Sequence, residues 1–370
     1  MYYYLNILII LSSVLYMVME RNIVRNQRTI IYKLLVLSAI LLFAFRPEDS
    51  KDTLGYIASF NNIDTFSSVD ITFLQKFGGY ELGYIYLIRF FGQITDSYRI
   101  FFLFISGTGL IMTLWALNRM TNKSLKPIIY DNDSKLKYLP IGAILALYIS
   151  CYGYLYNGIS VRAGISIGLG LVAFYKMQEK KVIKSIFLFF LAFSLQRTSF
   201  LFVIAFFIYQ FVPILKKKTH LIIWLVTGFT MFSGIASYAL TFINVWLITL
   251  IQRFGISGYD AYLSSLDVAV GLTDIYKWLL YGLLIFICDN KEKNQKYLNV
   301  VMIGALIVVF MHDVRAVSRA YDLFYLFIIP LLSDFYYGKM DKVRALNPFR
   351  KIIVHSVIII NAIVMLRTSF

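Results

Sequence analysis

Apolar residues fall into long runs that recur from one end of the chain to the other, with polar breaks of a few to about thirty residues. A spanning helix needs about twenty apolar residues, somewhat fewer where polar end residues reach the interface. Read this way, residues 2–19, 30–45, 100–117, 138–156, 163–175, 220–240, 274–288, 297–311, 320–335 and 352–366 are expected spans. Residues 80–94 are amphipathic and too short to cross comfortably, and are expected to lie in the interface.

The run from Lys184 to Lys216 needs a decision of its own. Its middle carries Gln196-Arg197-Thr198-Ser199 among almost wholly apolar neighbours. A single helix of that length would extend roughly 46 Å across a core of about 30 Å, and would carry the lysines at 216–218 to the opposite side from those at 176–184. A hairpin keeps both lysine clusters on one side and lifts Gln196 to Ser199 to the other. The hairpin is the expected arrangement and brings the total to about twelve spans.

Composition agrees with the runs. The chain has 370 residues, 59% of them hydrophobic and 15% charged, where a soluble chain carries about 25% charged residues. It is expected to be an all-α, polytopic integral membrane protein with a single domain over 1–370, an outer loop at 46–98 holding the interfacial helix, and a second outer segment at 241–273. The first run is followed, not preceded, by Arg21, Arg25 and Arg28, the reverse of a signal peptide's charge order. It is therefore expected to remain as a span with its N-terminus outside.

The net charge of +16 could suggest nucleic acid, but the basic residues are scattered over short loops, so topology explains them and no nucleic-acid partner is expected. About 24 of the 36 basic residues fall inside, some 18 of them lysine, as the positive-inside rule requires. The outer dozen are mostly arginine: Arg46, Arg89, Arg99, Arg162, Arg197, Arg253, Arg315, Arg319 and Arg367, against Lys51, Lys76 and Lys277. Arginine's planar fork grips phosphate or carboxylate through two donors and is weakly hydrated, so this bias points to an anion site on the outer face. Arg89, Arg99 and Arg367 are also explained by contact with headgroups or with acids on neighbouring helices. Arg162 and Arg197, at the tips of short outer turns, are the stronger candidates. Acids on the same side, Glu48, Asp49, Asp52, Glu81 and Asp313, can act as a base on a hydroxyl or orient it. His312 at a span end is a further candidate.

Other signals carry less. Asp131-Asn132-Asp133 spells a DxD, but its loop of about twenty residues cannot hold a nucleotide-binding domain. Gly164, Gly168 and Gly170 on one span offer close helix packing. Cys151 and Cys288 have no metal or redox spacing and read as packing residues.

The outer residues also form an ordered pattern. Phe45-Arg46 is followed by Asp52, Tyr56 and Phe60, then by Tyr80-Glu81-Leu82-Gly83-Tyr84; Arg162 precedes a glycine-rich helix, a polar interruption ends in Ser199, and Arg319 and Tyr321 come late. This resembles the EpsG-like members of the Wzy polysaccharide polymerases, with their FR and DxxxYxxxF segment and E-x-G-Y element. The family's usual H-x-S is absent: this chain has Gln196-Arg197-Thr198-Ser199.

The resemblance implies a helical GT-C-like fold with no obligatory metal or other cofactor, in the bacterial plasma membrane. It implies a polymerase that joins repeat units carried on undecaprenyl pyrophosphate at the outer face, with membrane lipids and a chain-length regulator as partners. Asp52, Glu81 and Arg197 would then be catalytic, and Arg46, Tyr56, Arg162, His312, Arg315 and Arg319 would bind pyrophosphate or sugar. The O-antigen, capsule and exopolysaccharide products stay open. So do two other functions: a flippase for the same lipid-linked oligosaccharide, and a polyprenyl-phosphate-sugar glycosyltransferase with a metal at Glu48 and Asp49. A membrane acyltransferase is weaker still, for want of an H-x-x-x-D pair.

Overall fold

A computed structural model describes residues 2–20, 22–49, 52–61, 81–122, 141–235, 270–311, 318–337 and 348–369. Every regular element among them is helical. Among the described residues four helices are long and apolar enough to cross a membrane: Tyr2–Met19, Asn26–Ala44, Tyr98–Thr121 and Pro348–Met365. Shorter apolar helices, including Val182–Leu195, accompany them. The described chain forms two compact units, one of Met1–Phe202 with Leu332–Phe370 and one of Val203–Leu331.

The first unit begins with α1 (Tyr2–Met19) and α2 (Arg25–Ala44), then the short α3 (Thr53–Asn61), α4 (Leu82–Gly92) and α5 (Tyr98–Asn122). The predicted interfacial stretch is α4, an 11-residue helix. Next comes α6 (Gly142–Tyr148), which continues as a π-helix over Ile149–Ile159, then α7 (Val161–Gln178) and α8 (Val182–Leu195).

Glycine lets α5 and α7 pack backbone to backbone. A Cβ at Gly168 would lie 2.8 Å from the Gly109 carbonyl oxygen, and one at Gly109 would lie 2.8 Å from the Gly164 carbonyl carbon. The glycine-rich run therefore packs as its spacing predicts. α7 and α8 are antiparallel, stapled by the Ser166 hydroxyl on the Ala192 carbonyl and the Ser185 hydroxyl on the Ala173 carbonyl, at 3.0 and 2.7 Å.

At the other end of this unit Glu20 is fully buried. Its Oε1 accepts the backbone N–H groups of Ile141 and Gly142 at 2.9 and 3.0 Å, and its Oε2 accepts the Tyr337 hydroxyl at 2.6 Å. A carboxylate at the start of α6 satisfies amides that no intrahelical carbonyl reaches. It thereby ties α1, α6 and the helix carrying Tyr337 into one corner.

The stretch around Arg197 breaks where the polar residues sit. α8 stops at Gln196, whose backbone is extended (φ −156°, ψ 116°), and a 3-10 turn, Arg197–Phe200, leads into α9 (Leu201–Phe211).

The second unit contains α10 (Lys217–Phe232), α11 (Leu272–Ile287), α12 (Glu292–Met311) and α13 (Ser318–Tyr325). From it α14 (Ile328–Tyr337) leads back to the first unit, where α15 (Pro348–Ser369) lies. Trp224 of α10 stacks on Trp278 of α11, with ring centroids 4.6 Å apart and planes 10° from parallel. Each indole N–H donates to the other residue's carbonyl, at 3.1 and 3.0 Å. Gly228 and Gly282 make room: a Cβ on either would lie within 2.4–2.6 Å of the facing indole. Cys151 and Cys288 are buried free thiols.

Candidate functional site

The outer-loop candidates of the first unit gather around the start of α7. Tyr56 and Phe60 are four residues apart in α3, so they share one helical face. Asp52 sits just before α3 with a positive φ of 62°, and its Oδ2 accepts the Ser160 hydroxyl at 3.3 Å. Tyr56 meets Tyr84 edge to face, centroids 5.9 Å apart, and Phe60 stacks on Phe101 at 5.3 Å. The DxxxYxxxF spacing thus docks α3 onto α4 and α5 while holding its carboxylate against the turn that leads into α7.

Arg46, after the C-terminus of α2, is buried. Its Nε donates to the Thr53 hydroxyl at 2.7 Å, its Nη1 to the Phe43 carbonyl at 3.2 Å, and its guanidinium lies 3.9 Å from the centre of the Phe102 ring. Burial pushes this group below the ordinary arginine range, and Tyr2, Tyr56, Tyr84 and Tyr154 act in the opposite direction. No described residue bonds its Nη2. Arg46 therefore joins α2 to α3 and backs the site rather than facing open solvent.

The E-x-G-Y element resolves into three separate jobs. Glu81 precedes α4 yet makes no side-chain bond to its own helix. Its Oε2 instead accepts Nη1 of Arg162 at 2.6 Å, and its Oε1 accepts the backbone N–H of Arg197 at 2.9 Å. Gly83 lets α4 close on α8: a Cβ there would lie 2.7 Å from the Ser194 carbonyl oxygen. Tyr84 is fully buried, with the Arg162 guanidinium 5.7 Å from its ring centre.

Arg162 lies in the first turn of α7, and the Arg162–Glu81 pair is only partly buried, with 14% and 10% of the side chains exposed. Arg197 is exposed, and its guanidinium makes no ion pair with a described residue. A carboxylate, two arginines and a second carboxylate held by Ser160 are thus tied to one turn, residues 160–162. Such a group can bind an anion and accept a proton beside it.

Of the remaining candidates, His312 and Arg315 lie outside the described residues, as do Asp131, Asn132, Asp133 and all but the last residues of the 241–273 segment. Arg319 is in α13, in the second unit, and only its backbone is described. Glu48 bonds the Tyr98 hydroxyl and pairs with Arg99 at 3.1 Å, so its carboxylate serves an arginine.

Sequence reading passed over Ser160, Thr53 and Glu20. The first two carried a usable signal, Thr53 lying next to Asp52 and Ser160 two residues before Arg162; Glu20 carried none, because its partners are more than a hundred residues away.

A helical integral membrane protein with a paired arginine and carboxylate site is the class that this fold and site define. The pattern of the EpsG family matches residues 29–370, and the chain belongs to that family. Its members are polymerases of polysaccharide biosynthesis, with the character of glycosyltransferases. Searches of curated proteins and of solved structures found no match.

Proposed function

We propose that the protein is a Wzy-type polymerase that moves an oligosaccharide chain from undecaprenyl pyrophosphate onto another lipid-linked repeat unit at the outer face of the plasma membrane. The observation that carries this reading is Glu81 shared between Arg162 and the Arg197 amide, with Asp52 tethered two residues from Arg162 through Ser160.

In the reaction, a hydroxyl of the acceptor sugar attacks the anomeric carbon of the donor's first sugar. The bond from that carbon to the pyrophosphate oxygen breaks, and lipid pyrophosphate leaves with the electron pair. The hydroxyl proton passes to Glu81 or Asp52. Arg162 and the exposed Arg197 side chain stabilise the charge that develops on the leaving group. Arg46 and Tyr56 position α3 behind them. Arg315, Arg319 and His312 are proposed to hold the rest of the donor, within a GT-C-like fold of about twelve spans that uses no metal.

The outward direction rests on charge. α2 begins with Arg25 and Arg28, α7 carries Lys176 in its last turn and α8 begins after Lys180 and Lys181, and basic loops stay in the cytoplasm. The site occupies the opposite ends of these helices, facing the periplasm. Its gathering at helix ends also favours an enzyme over a flippase, whose ionisable groups belong near the midplane of an alternating-access cavity.

The test is extension of synthetic undecaprenyl-pyrophosphate-linked repeat units by the purified full-length protein in liposomes. A ladder of products is expected. Movement of the substrate across the bilayer without extension would show a flippase, and loss of extension with chelator would show a metal-dependent transferase.

A further inference from the structure

We propose that Glu81 occupies the pyrophosphate's own seat in the resting protein, and that donor binding displaces it and so frees it as the base. This rests on the polymerase reading above and adds an order to it: donor pyrophosphate first, acceptor activation second.

The geometry is that of an anion clamp already filled. Arginine binds carboxylate and phosphate through the same planar fork, and a backbone amide serves either anion equally well. Glu81 uses one oxygen for each donor, Nη1 of Arg162 at 2.6 Å and the N–H of Arg197 at 2.9 Å. A phosphate group bound to the same two donors would meet the Glu81 carboxylate directly, and like charges that close repel strongly. The two anions cannot share the seat.

A plain strut between α4, α7 and the turn after α8 would explain the same two bonds, but two features favour a displaceable anion. Both side chains of the pair keep some exposure, 14% and 10%, so a ligand can reach them. Arg197 also leaves its exposed guanidinium without an ion-pair partner among the described residues. The residue whose amide holds Glu81 thus carries a second cation not engaged by a described carboxylate, and an incoming pyrophosphate, unlike a single carboxylate, carries charge enough for two.

Displacement gives Glu81 a second use. In the resting protein both of its oxygens are occupied, one by Arg162 and one by the Arg197 amide, so neither is turned to an acceptor hydroxyl. Once the leaving group takes over the arginine, the released carboxylate lies next to the pyrophosphate, where the acceptor hydroxyl has to approach. A base that is unmasked only by donor binding would also prevent activation of a stray water before the donor arrives.

The experiment titrates full-length protein in nanodiscs with farnesyl pyrophosphate as the probe, and with farnesyl monophosphate and farnesol as controls. Glu81→Gln keeps the size of the side chain and removes its charge; Glu81→Ala removes both. Both variants are expected to bind farnesyl pyrophosphate at least about tenfold more tightly than the unaltered protein, the scale of one charge-assisted hydrogen bond released from competition. Both are expected to lose at least about a hundredfold in extension rate. Farnesol binding should be the same in all three. Equal or weaker pyrophosphate binding in both variants shows a strut and overturns the proposal, as does an absence of pyrophosphate binding in all three proteins. Tighter binding by the variants, with no extension by the unaltered protein, keeps the displaced anion and overturns the polymerase reading instead.

Discussion

Gly83→Ala is the smallest change that should disable the site from outside it. The added methyl would start 2.4 Å from the Ser194 hydroxyl, 2.7 Å from the Ser194 carbonyl oxygen and 2.8 Å from its carbonyl carbon. The hydroxyl can rotate away, but the carbonyl belongs to the last turn of α8 and cannot. Restoring ordinary contact at 3.4 Å needs a separation of roughly 0.7 Å between α4 and α8. Glu81 sits two residues before Gly83, and its partner amide at Arg197 lies three residues beyond Ser194. A shift of that size applied to the 2.9 Å bond between them stretches it to about 3.6 Å, beyond a hydrogen bond. Overpacking of this kind costs about 1–3 kcal/mol, and misplacing a reacting group by about 1 Å costs up to about a hundredfold in rate.

The assay is polymer length and yield in a deletion strain carrying the variant, at matched protein levels in the membrane, with the melting temperature of purified protein alongside. The expected result is a protein that reaches the membrane, melts a few degrees lower and produces mostly single repeat units. Ser194→Ala in the same chain should not restore the ladder, because the carbonyl remains. A full-length ladder from Gly83→Ala at normal protein levels would refute the claim that α4 and α8 must touch to align Glu81.

Four other outcomes follow from the same structure. Arg162→Ala and Arg197→Ala should each shorten the polymer and lower its yield, and the second leaves the Arg197 amide bond to Glu81 intact, so it reads the guanidinium alone; unchanged polymer in both would show that neither binds the leaving group. Glu20→Ala should lower the melting temperature sharply, since a buried amide and a part-buried one lose their acceptor, at about 1–3 kcal/mol for a buried group, while Glu20→Gln should lose less. Gly282→Ala, whose Cβ would lie 2.6 Å from the Trp224 indole, should unstack the Trp224–Trp278 pair, seen as a change in tryptophan fluorescence. Glu179 lies after α7, with its carboxyl held at about 2, below the usual 4.5, chiefly by the Tyr175 hydroxyl and then by Lys176 and Lys181. Its folded-state value is depressed, so its contribution is present above pH 4.5 and is lost as the pH falls through about 2. Tyr175→Phe should raise that carboxyl toward its usual value, measured by titrating acid stability.

By itself, the sequence determined the class of this protein and its long apolar helices. Run length, hydropathy and the lysine-against-arginine bias are properties of composition, and each acts over one helix or one loop. It also determined where the Lys184–Lys216 run breaks, because Gln196-Arg197-Thr198-Ser199 cannot continue an apolar helix comfortably. Most of the chosen site residues of the first unit, Asp52, Tyr56, Glu81, Arg162 and Arg197, do come together.

Their roles were decided only by tertiary structure. Arg46 and Arg162 are both arginines at helix ends, and nothing local separates them; one is enclosed by Phe102 and Thr53 and the other meets Glu81, because different helices arrive beside them. The pairing of Glu81 with an arginine 81 residues later and with an amide 116 residues later leaves no trace in spacing. The burial of Glu20 leaves none either. Pattern along a chain reports the solvent each segment meets, whereas a site is defined by which distant segments share a few ångströms, and close packing of helices such as α4 on α8 sets that.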